Sequence, residues 1–493
     1  MKISIMKKIA ILLVAAFALL GVNTATAQSR TSYFMEGSYF RSEFNPALVP
    51  TRGYFMIPGL SGINLNVGTN FLSFDNFIYK RGNEYVTALH SSVTTQEFLD
   101  KFSAVNNLKA NFNTNINLLG IGFYTKKIFW SAGVNLRAEN SVAFDKDMFR
   151  AIKTLGNGLH DLGSTEVNAN WYLEAYAGTS LPISDWLTVG AKGKILFGLA
   201  NFGANLNNKL NITEEKITLD INGDWKANCP VLDNRSLEDV NADVEFSNLV
   251  CVDDMAYLKQ NLNNFGAAID LGAEFRLLNN HLKLSAAVTD LGIIKWAATS
   301  HLGGSASATY EFAGVNVSTD GVNTDNILGG DGINKDNIIN KGKYNGYAER
   351  LAYSINVGAE YNMLKNMIAF GIFSQTKFYK TAPYSELTAS VNLRPTSWLS
   401  ATVSHTVAVS KNPFNGNNMG VFGAAINFHP AMINFYLGID FIDTNYVSLG
   451  NVKGIDLLFP RNAQSLNLYM GMAFNFGRPK HLKNNGDQSP RWK

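Results

Sequence analysis

Alternation of apolar and polar residues with a period of two constrains the fold of this chain more than any other feature. In Leu187–Leu199 the odd positions are apolar or glycine, while the even positions include Lys192 and Lys194. The same pattern recurs in Phe265–Leu277, Leu351–Tyr361 and Leu466–Phe476. Successive side chains of a strand point to opposite faces, so each segment predicts a strand with one apolar and one polar face. These runs keep phase for longer than the roughly 5–6 residues of an ordinary strand.

The N-terminus predicts a secretory signal peptide covering residues 1–27. Lysines at positions 2, 7 and 8 precede an apolar run from Ile9 to Val22, and Ala25-Thr26-Ala27 forms a small-residue cleavage site. After Val22 no apolar run approaches the roughly 20 residues of a spanning helix. The mature chain is therefore expected to leave the cytoplasm without a transmembrane helix.

The composition favours a membrane barrel over a soluble exported protein. Charged residues make up 16% of the chain, against about 25% in average soluble proteins, and aromatic residues reach 12%. A closed barrel satisfies all backbone hydrogen bonds inside lipid without spanning helices. The predicted fold is an all-β transmembrane antiparallel barrel in the outer membrane of a Gram-negative bacterium. The net charge of +3 indicates no particular partner.

Fourteen strands follow from the alternation and the turns, with both chain ends on the side of the short turns. The predicted strands are 62–74, 108–124, 128–144, 165–181, 187–203, 265–277, 282–297, 349–363, 367–379, 384–394, 398–410, 419–428, 432–442 and 465–476. Short periplasmic turns and long outer loops are typical of such barrels. Stretches 206–222 and 304–318 are interpreted as hairpin extensions above the membrane, and sixteen membrane strands remain an alternative.

This threading divides the chain into four regions. The signal peptide (1–27) is followed by an N-terminal hatch or plug (28–61), a barrel (62–477) with long outer loops at 204–264 and 298–348, and a periplasmic tail (478–493). The Asn-, Asp- and Gly-rich loop 319–346 is interpreted as solvated, since it lacks the spacing of a calcium loop.

Cys229 and Cys251 are the only two cysteines of the chain, and both lie in the 204–264 loop. An even number of cysteines in an exported protein predicts a disulfide. A redox or metal-binding pair is the alternative.

The end of the last strand resembles the signal read by the outer-membrane barrel-assembly machinery. This pattern consists of Tyr469, Gly471, Phe474 and Phe476. Near the other end of the chain, Asn45-Pro46-Ala47 follows Gly37 and precedes the first predicted strand. This arrangement resembles FadL/TodX-type outer-membrane barrels, whose N-terminal hatch carries an Asn-Pro-Ala motif. It is also similar to FadL-related barrels of type IX secretion, and the segment Asp290–Trp296 (DLGIIKW) resembles a strand end of such families.

The resemblance implies a hatch folded back into the barrel lumen. Aromatic and apolar residues of the hatch could line a pocket for a hydrophobic ligand, or pack the hatch into the wall; they are Tyr33, Phe34, Met35, Tyr39, Phe40 and Phe44. Charged residues of both signs are expected on the lumen face, as a polar conduit or as an ion-pair network; they are Arg137, Glu139, Glu174, Lys192, Lys194, Asp270, Glu274, Arg276, Lys283 and Glu360. Aromatic residues near strand ends are assigned to interfacial girdles; they are Phe123, Tyr124, Phe129, Trp130, Trp186, Trp296, Phe435, Phe474 and Phe476.

Two functions remain open at this point. The first is passage of hydrophobic, fatty-acid-like small molecules through a plugged lumen. The second is a non-transporting scaffold or shuttle that works with a secretion-system or surface protein. No catalytic residues are expected, because the seven histidines are scattered along the sequence, and no cofactor, metal or nucleic acid is indicated. The other expected partners are outer-membrane lipid and, during biogenesis, the assembly machinery.

Overall fold

The computed structural model describes most of the chain between Arg30 and Gly477. The described residues are 30–69, 71, 74–82, 84–88, 90–102, 107–148, 150, 158–213, 217–228, 263–297, 301–312, 317–318, 321–322, 340–341, 346–379, 383–408, 421–430, 432–442, 446–452, 455–460 and 465–477. The predicted signal peptide, the cysteine pair Cys229 and Cys251, and the predicted tail lie outside these residues, as does most of loop 319–346.

The described residues are almost entirely β-structure. The strands are β1 (Gly53–Met56), β2 (Ile63–Thr69), β3 (Ile78–Arg81), β4 (Glu84–Thr87), β5 (Asn107–Thr125), β6 (Ile128–Asp145), β7 (Gly158–Pro182), β8 (Leu187–Ile212), β9 (Ile217–Asn228), β10 (Phe265–Leu277), β11 (Leu282–Trp296), β12 (His301–Phe312), β13 (Val317–Ser318), β14 (Gly321–Val322), β15 (Asn340–Lys341), β16 (Tyr347–Arg350), β17 (Tyr353–Met363), β18 (Ile368–Phe378), β19 (Pro383–Thr396), β20 (Leu399–Ala408), β21 (Val421–Phe428), β22 (Ile433–Ile442), β23 (Tyr446–Val452), β24 (Ile455–Pro460) and β25 (Ser465–Phe476). Two short α-helices, Phe74–Phe77 and Thr95–Asp100, lie between β2 and β5. In the part of the chain that is described, no helix has the length and apolar character needed to cross a membrane.

The main sheet closes on itself into an antiparallel barrel. Two wall strands are broken in two, one into β1 and β2 and the other into β16 and β17. Around the barrel, the order is β1/β2, β5, β6, β7, β8, β10, β11, β16/β17, β18, β19, β20, β21, β22 and β25. The sheet closes because β25 pairs with both β1 and β2. Counting each broken strand once gives fourteen within the described residues, so the predicted fold is confirmed. One end, here called the short-turn rim, carries the tight connections between β5 and β6 and between β10 and β11, whereas the opposite end is called the long-loop rim.

The sequence alternation corresponds to the two faces of the barrel wall. On β8, Ile195 is 56% exposed on the outside, whereas its neighbours Lys194 and Leu196 are buried inside. Leu271 on β10 is similarly exposed, while Asp270 is buried. Apolar side chains on the outside contact lipid, and the inner face is predominantly polar, as in outer-membrane barrels.

The first barrel strand begins at Gly53 rather than at position 62, where the alternation placed it. β1 and β2 pair with the same neighbours, β5 and β25, and residues 57–62 bulge between them. Because β1 has only four residues and includes a glycine, its alternation is too short to detect. Residues 53–56 of the predicted hatch therefore belong to the wall.

Beyond the long-loop rim, β7 and β8 extend well past the predicted strand ends. β8 continues to Ile212 and pairs with β9, which in turn pairs with β12. These strands form the hairpin extension that was expected from stretches 206–222 and 304–318, with boundaries shifted by a few residues.

Three of the aromatic residues assigned to interfacial girdles face inward instead. Phe129 and Trp296 are buried, at 2% and 0% exposure, and Tyr124 donates its hydroxyl to the carbonyl oxygen of Pro50 at 2.5 Å. Residue type alone does not set the face, since Phe129 and Trp130 are adjacent and must point in opposite directions. Trp130 is 41% exposed on the outer face.

An arginine in place of Ile195, on the lipid face of β8, is expected to destabilise the barrel by about 2–4 kcal/mol. Leu159→Arg is the matched control, because Leu159 is 66% exposed near the start of β7 at the long-loop rim. Urea unfolding in lipid vesicles measures both variants. Equal destabilisation at the two positions would contradict the lipid-facing assignment of Ile195.

Candidate functional site: the N-terminal segment inside the barrel

Residues 30–50, here called the N-terminal segment, lie inside the barrel. It contains two short 3-10 helices, Arg30–Phe34 and Tyr39–Glu43. The Oγ atom of Ser38 caps the second helix by accepting a hydrogen bond from the backbone N–H of Phe40 at 3.2 Å. Nearly the whole segment is buried, so the inner wall surrounds it.

The Asn-Pro-Ala motif contacts the wall directly. The backbone N–H of Ala47 donates to Asn45 Oδ1 at 2.8 Å, which closes a local turn. Asn45 Nδ2 donates to the carbonyl oxygens of Ala273 at 3.0 Å and Ala286 at 3.3 Å, on β10 and β11. One asparagine side chain therefore fixes the turn and attaches it to two strands, while Pro46 restricts the backbone between them.

Glycines in the wall make room for the N-terminal segment. At five inward positions a Cβ atom would overlap the segment: Gly190 against Pro46, Gly272 against Asn45, Gly358 against Tyr33, Gly371 against Phe34, and Gly423 against Thr31. These glycines lie on five different strands, β8, β10, β17, β18 and β21. The missing side chains let the segment approach the wall backbone closely.

Aromatic residues of the segment join wall aromatics in one buried cluster. Tyr33 stacks on Phe373 at 4.1 Å between ring centroids, and Phe40 lies 5.1 Å from Tyr436. The six predicted hatch residues are all members: Tyr33, Phe34, Met35, Tyr39, Phe40 and Phe44. Burial of each large apolar side chain contributes about 1.5–3 kcal/mol.

The beginning of the segment is held by polar contacts. Arg30 forms an ion pair with Glu386, and Thr31 Oγ1 donates to Asp440 and lies 2.6 Å from Ser404 Oγ. None of these contacts was predicted from the sequence, because the three wall residues are remote in the chain.

Two glutamates of the segment pair with cations of the wall. Glu36 lies 2.6 Å from Lys283 Nζ and 3.1 Å from Arg394 Nε. Further along the segment, Glu43 lies 3.1 Å from Arg137 Nη2 and 3.8 Å from Lys192 Nζ. These four ion pairs connect the segment to β6, β8, β11 and β19.

The wall cations belong to a larger buried network. Lys194 Nζ lies 2.6 Å from Asp290, 2.8 Å from Asp270 and 3.6 Å from Glu174, and Arg137 lies 3.2 Å from Glu174. Asp290 was not predicted as a member. It adopts a left-handed φ of 61° at a bulge in β11, which turns its side chain inward. An aspartate tolerates this conformation better than most residues.

The remaining predicted charges also lie on the inner face. Glu139 pairs with Lys377 at 3.7 Å, and Arg276 pairs with Glu274 at 2.5 Å. Lys283 lies 3.9 Å from Glu360. Charges of opposite sign thus neutralise one another within β10, between the neighbouring strands β11 and β17, and across the bore between β6 and β18.

The residues of the predicted assembly signal divide between the two faces of β25. Phe474 and Phe476 are 41% and 42% exposed on the outer face, whereas Tyr469 is buried inside. Gly471 also faces inward, where a Cβ atom would lie 2.7 Å from the carbonyl oxygen of Ser61. The lipid-facing part of this pattern is therefore limited to the two phenylalanines.

A cavity of about 280 Å³ lies at the short-turn rim, between the segment and the wall. Its lining includes apolar residues of the segment and wall, Leu48, Val49 and Phe129, and the charged residues Arg41 and Arg276. Among the described residues, no group of three or more His, Cys, Asp and Glu side chains is placed to hold a metal ion.

The ion pairs determine the protonation of the two glutamates. Burial alone would raise the pKa of Glu36, but the positive charges of Arg394 and Lys283 outweigh it and lower the pKa below its usual range. Burial also raises the pKa of Glu43, but the positive charges of Lys192 and Arg137 outweigh burial and lower this pKa. Both carboxylates therefore remain ionised at neutral and mildly acidic pH.

Gly272→Val is expected to displace the N-terminal segment, because the added side chain overlaps Asn45. Overpacking of this kind costs about 1–3 kcal/mol. Gly193→Val is the matched control: Gly193 lies on β8, and a Cβ atom there meets nothing within 4 Å. Hydrogen-exchange mass spectrometry of residues 30–50 measures the effect. Faster exchange in G272V than in G193V is the expected result, and equal protection would contradict the close approach.

The lowered pKa values of Glu36 and Glu43 predict how the attachment of the segment depends on pH. Their ion pairs stabilise attachment above the ordinary carboxyl pKa of about 4.3, and this stabilisation is lost as pH falls through the lowered values of the folded state. Protection of residues 36–50, which include both glutamates, should therefore stay constant from pH 7 to pH 5 and decrease only in stronger acid. Hydrogen exchange, corrected for intrinsic rates, measures it, and loss of protection already at pH 5 would contradict the assignment.

Comparison with solved structures finds matches of low sequence identity. The toluene transporter TodX of P. putida is 10% identical, with 88% of this chain and 92% of that chain covered and a TM-score of 0.41. The toluene transporter TbuX of Ralstonia pickettii is 8% identical, with 90% and 95% covered and a TM-score of 0.40. A FadL homologue of Pseudomonas aeruginosa is 8% identical, with 92% and 98% covered and a TM-score of 0.43. Similarity at this level assigns neither a substrate nor an activity to this chain.

No curated protein matches the sequence. A protein-family model described as "Family of unknown function (DUF5723)" matches residues 46–440, from the Asn-Pro-Ala motif to β22. This range is well over half of the 493 residues, and the chain therefore belongs to the family DUF5723.

Proposed function

We propose that this protein passes hydrophobic, fatty-acid-like small molecules across the outer membrane, with the N-terminal segment as the hatch of the barrel. The observation that carries the proposal is the aromatic cluster shared by the segment and the wall. It provides apolar surface in the centre of a barrel whose inner face is predominantly polar. A hydrophobic solute moving through the bore would find its favourable contacts along this segment.

The contacts of the segment suit a displaceable element. It is attached to the wall by side-chain contacts, whereas each wall strand is fixed by backbone ladders. A ligand that replaces aromatic contacts between segment and wall would favour the displaced state, in proportion to its differential affinity for the two states. The cavity beside Leu48 and Phe129 would then provide an exit toward the short-turn rim, which we assign to the periplasm.

A disulfide between segment and wall tests the hatch. Thr31 Oγ1 and Ser404 Oγ lie 2.6 Å apart, so Thr31→Cys with Ser404→Cys should form a bond that holds the segment in place. Cys229 and Cys251 are replaced by serine throughout. Uptake of labelled oleate is measured in Gram-negative cells that lack their own fatty-acid channel. We expect uptake to fall at least tenfold when the bond is oxidised and to recover with dithiothreitol.

A disulfide within the wall is the matched control. Thr388 and Thr406 face each other on β19 and β20, with their hydroxyl oxygens 2.8 Å apart. The double variant Thr388→Cys with Thr406→Cys should take up oleate at the same rate before and after oxidation. Unchanged uptake with the segment locked would overturn the hatch. If the unmodified protein takes up no oleate above background, transport itself is wrong, and the scaffold or shuttle function becomes the better hypothesis.

A further inference from the structure

Two further chambers lie in the bore between the N-terminal segment and the long-loop rim. The lower chamber, of about 100 Å³, has Phe40 and Phe44 of the segment in its lining. The upper chamber, of about 110 Å³, includes Asn111 in its lining. Both are lined by Asn113 and Glu139, so they adjoin one another.

Asparagines concentrate on one side of these chambers. In the register of β2 and β5, Asn64 lies opposite Asn115 and Asn66 lies opposite Asn113. Asn111 follows on the same face of β5, because residues two apart share a face. These five residues are here called the amide patch. Their grouping is set by strand pairing, and alternation in the sequence places them all toward the bore.

Several polar atoms around the chambers are buried without a hydrogen-bond partner. Asn66 is 5% exposed, and neither its Oδ1 nor its Nδ2 is paired. The Oδ1 atoms of Asn111 and Asn115 are also unpaired. Across the lower chamber, Gln375 donates to Asn356 but its own Oε1 accepts nothing. Buried polar groups are normally hydrogen-bonded, so this concentration of unpaired amides indicates a ligand.

The charged residues of the lower chamber are already paired with one another. Arg137 contacts Glu43 at 3.1 Å and Asp290 at 3.8 Å, and Lys377 lies 3.7 Å from Glu139. An ionic ligand would have to compete with these pairs. The unpaired amide atoms named above are four oxygen acceptors and one donor, Asn66 Nδ2. They favour an uncharged ligand that donates several hydrogen bonds and can also accept one.

We infer that the two chambers bind a neutral polyhydroxyl compound of the size of a mono- or disaccharide. Each hydroxyl donates one hydrogen bond and accepts others, which matches the paired donor and acceptor of an amide side chain. Phe40 and Phe44 supply apolar contact for the C–H groups of such a ring. This site borders the aromatic cluster at Phe40 and Phe44, and a polyhydroxyl ligand goes beyond the proposed passage of hydrophobic molecules.

Titration of the full-length protein with glucose and maltose tests the inference. The protein is purified in lauryldimethylamine oxide, since a detergent with a sugar headgroup would occupy the site. Saturation-transfer NMR should show saturable binding of at least one of the two sugars. Asn66→Leu keeps the side-chain size but removes both unpaired amide atoms, and we expect it to weaken binding at least tenfold.

Asn208→Leu is the control, because Asn208 lines neither chamber and bonds instead to Thr165 on β7 at 3.0 Å. N208L should bind sugar as the unmodified protein does, and the heat-dependent gel mobility of both variants reports folding. The absence of saturable binding to the unmodified protein would overturn the inference, as would equal weakening in N66L and N208L. Binding of toluene, but neither sugar, in an Asn66-dependent manner would also overturn it. These outcomes are independent of oleate uptake, so either proposal can fail alone.

Discussion

The need to hydrogen-bond every backbone group inside lipid is the constraint on which the rest of this structure depends. An open sheet would leave N–H and C=O groups of two edges unpaired in the hydrocarbon, so β25 returns to pair with β1 and β2. Closure in turn creates an inner face that does not contact lipid and is shielded from bulk solvent. That face must be filled or solvated, and in this protein it is filled in its lower part by the chain's own N-terminal segment.

Filling the bore requires different features of the wall and of the segment. Five wall glycines have no side chain at the points where the segment approaches. The wall also provides the lysines and arginines that pair with Glu36 and Glu43. The segment contributes aromatic rings for burial and Asn45 for attachment to β10 and β11. Removing one partner of a buried ion pair leaves an uncompensated charge, which costs about 3–5 kcal/mol. The ion pairs therefore favour this position of the segment over positions that would leave the charges unpaired.

Much of the barrel wall could be predicted from the sequence, because its strands show a local alternation of apolar and polar residues. The ten charged residues predicted for the lumen face were chosen by the parity of their positions, without any knowledge of their partners. Prediction failed where alternation is interrupted. β1 is too short to show a period, and the bulge in β11 changes the direction of Asp290. The amide patch did leave a signal, in the alternating asparagines of Asn111–Asn117, but only the register with β2 groups it with Asn64 and Asn66.

The sequence by itself determined the barrel and the face on which most side chains lie, because these follow from period, length and turn position. It left fourteen and sixteen membrane strands open, and closure of the sheet decided for fourteen within the described residues. Only the tertiary structure decided which strands the N-terminal segment contacts, which glycines admit it, and which charges pair. These relations join residues hundreds of positions apart, as with Arg30 and Glu386. No local pattern encodes them, since they depend on how closure of the barrel brings distant strands around one segment.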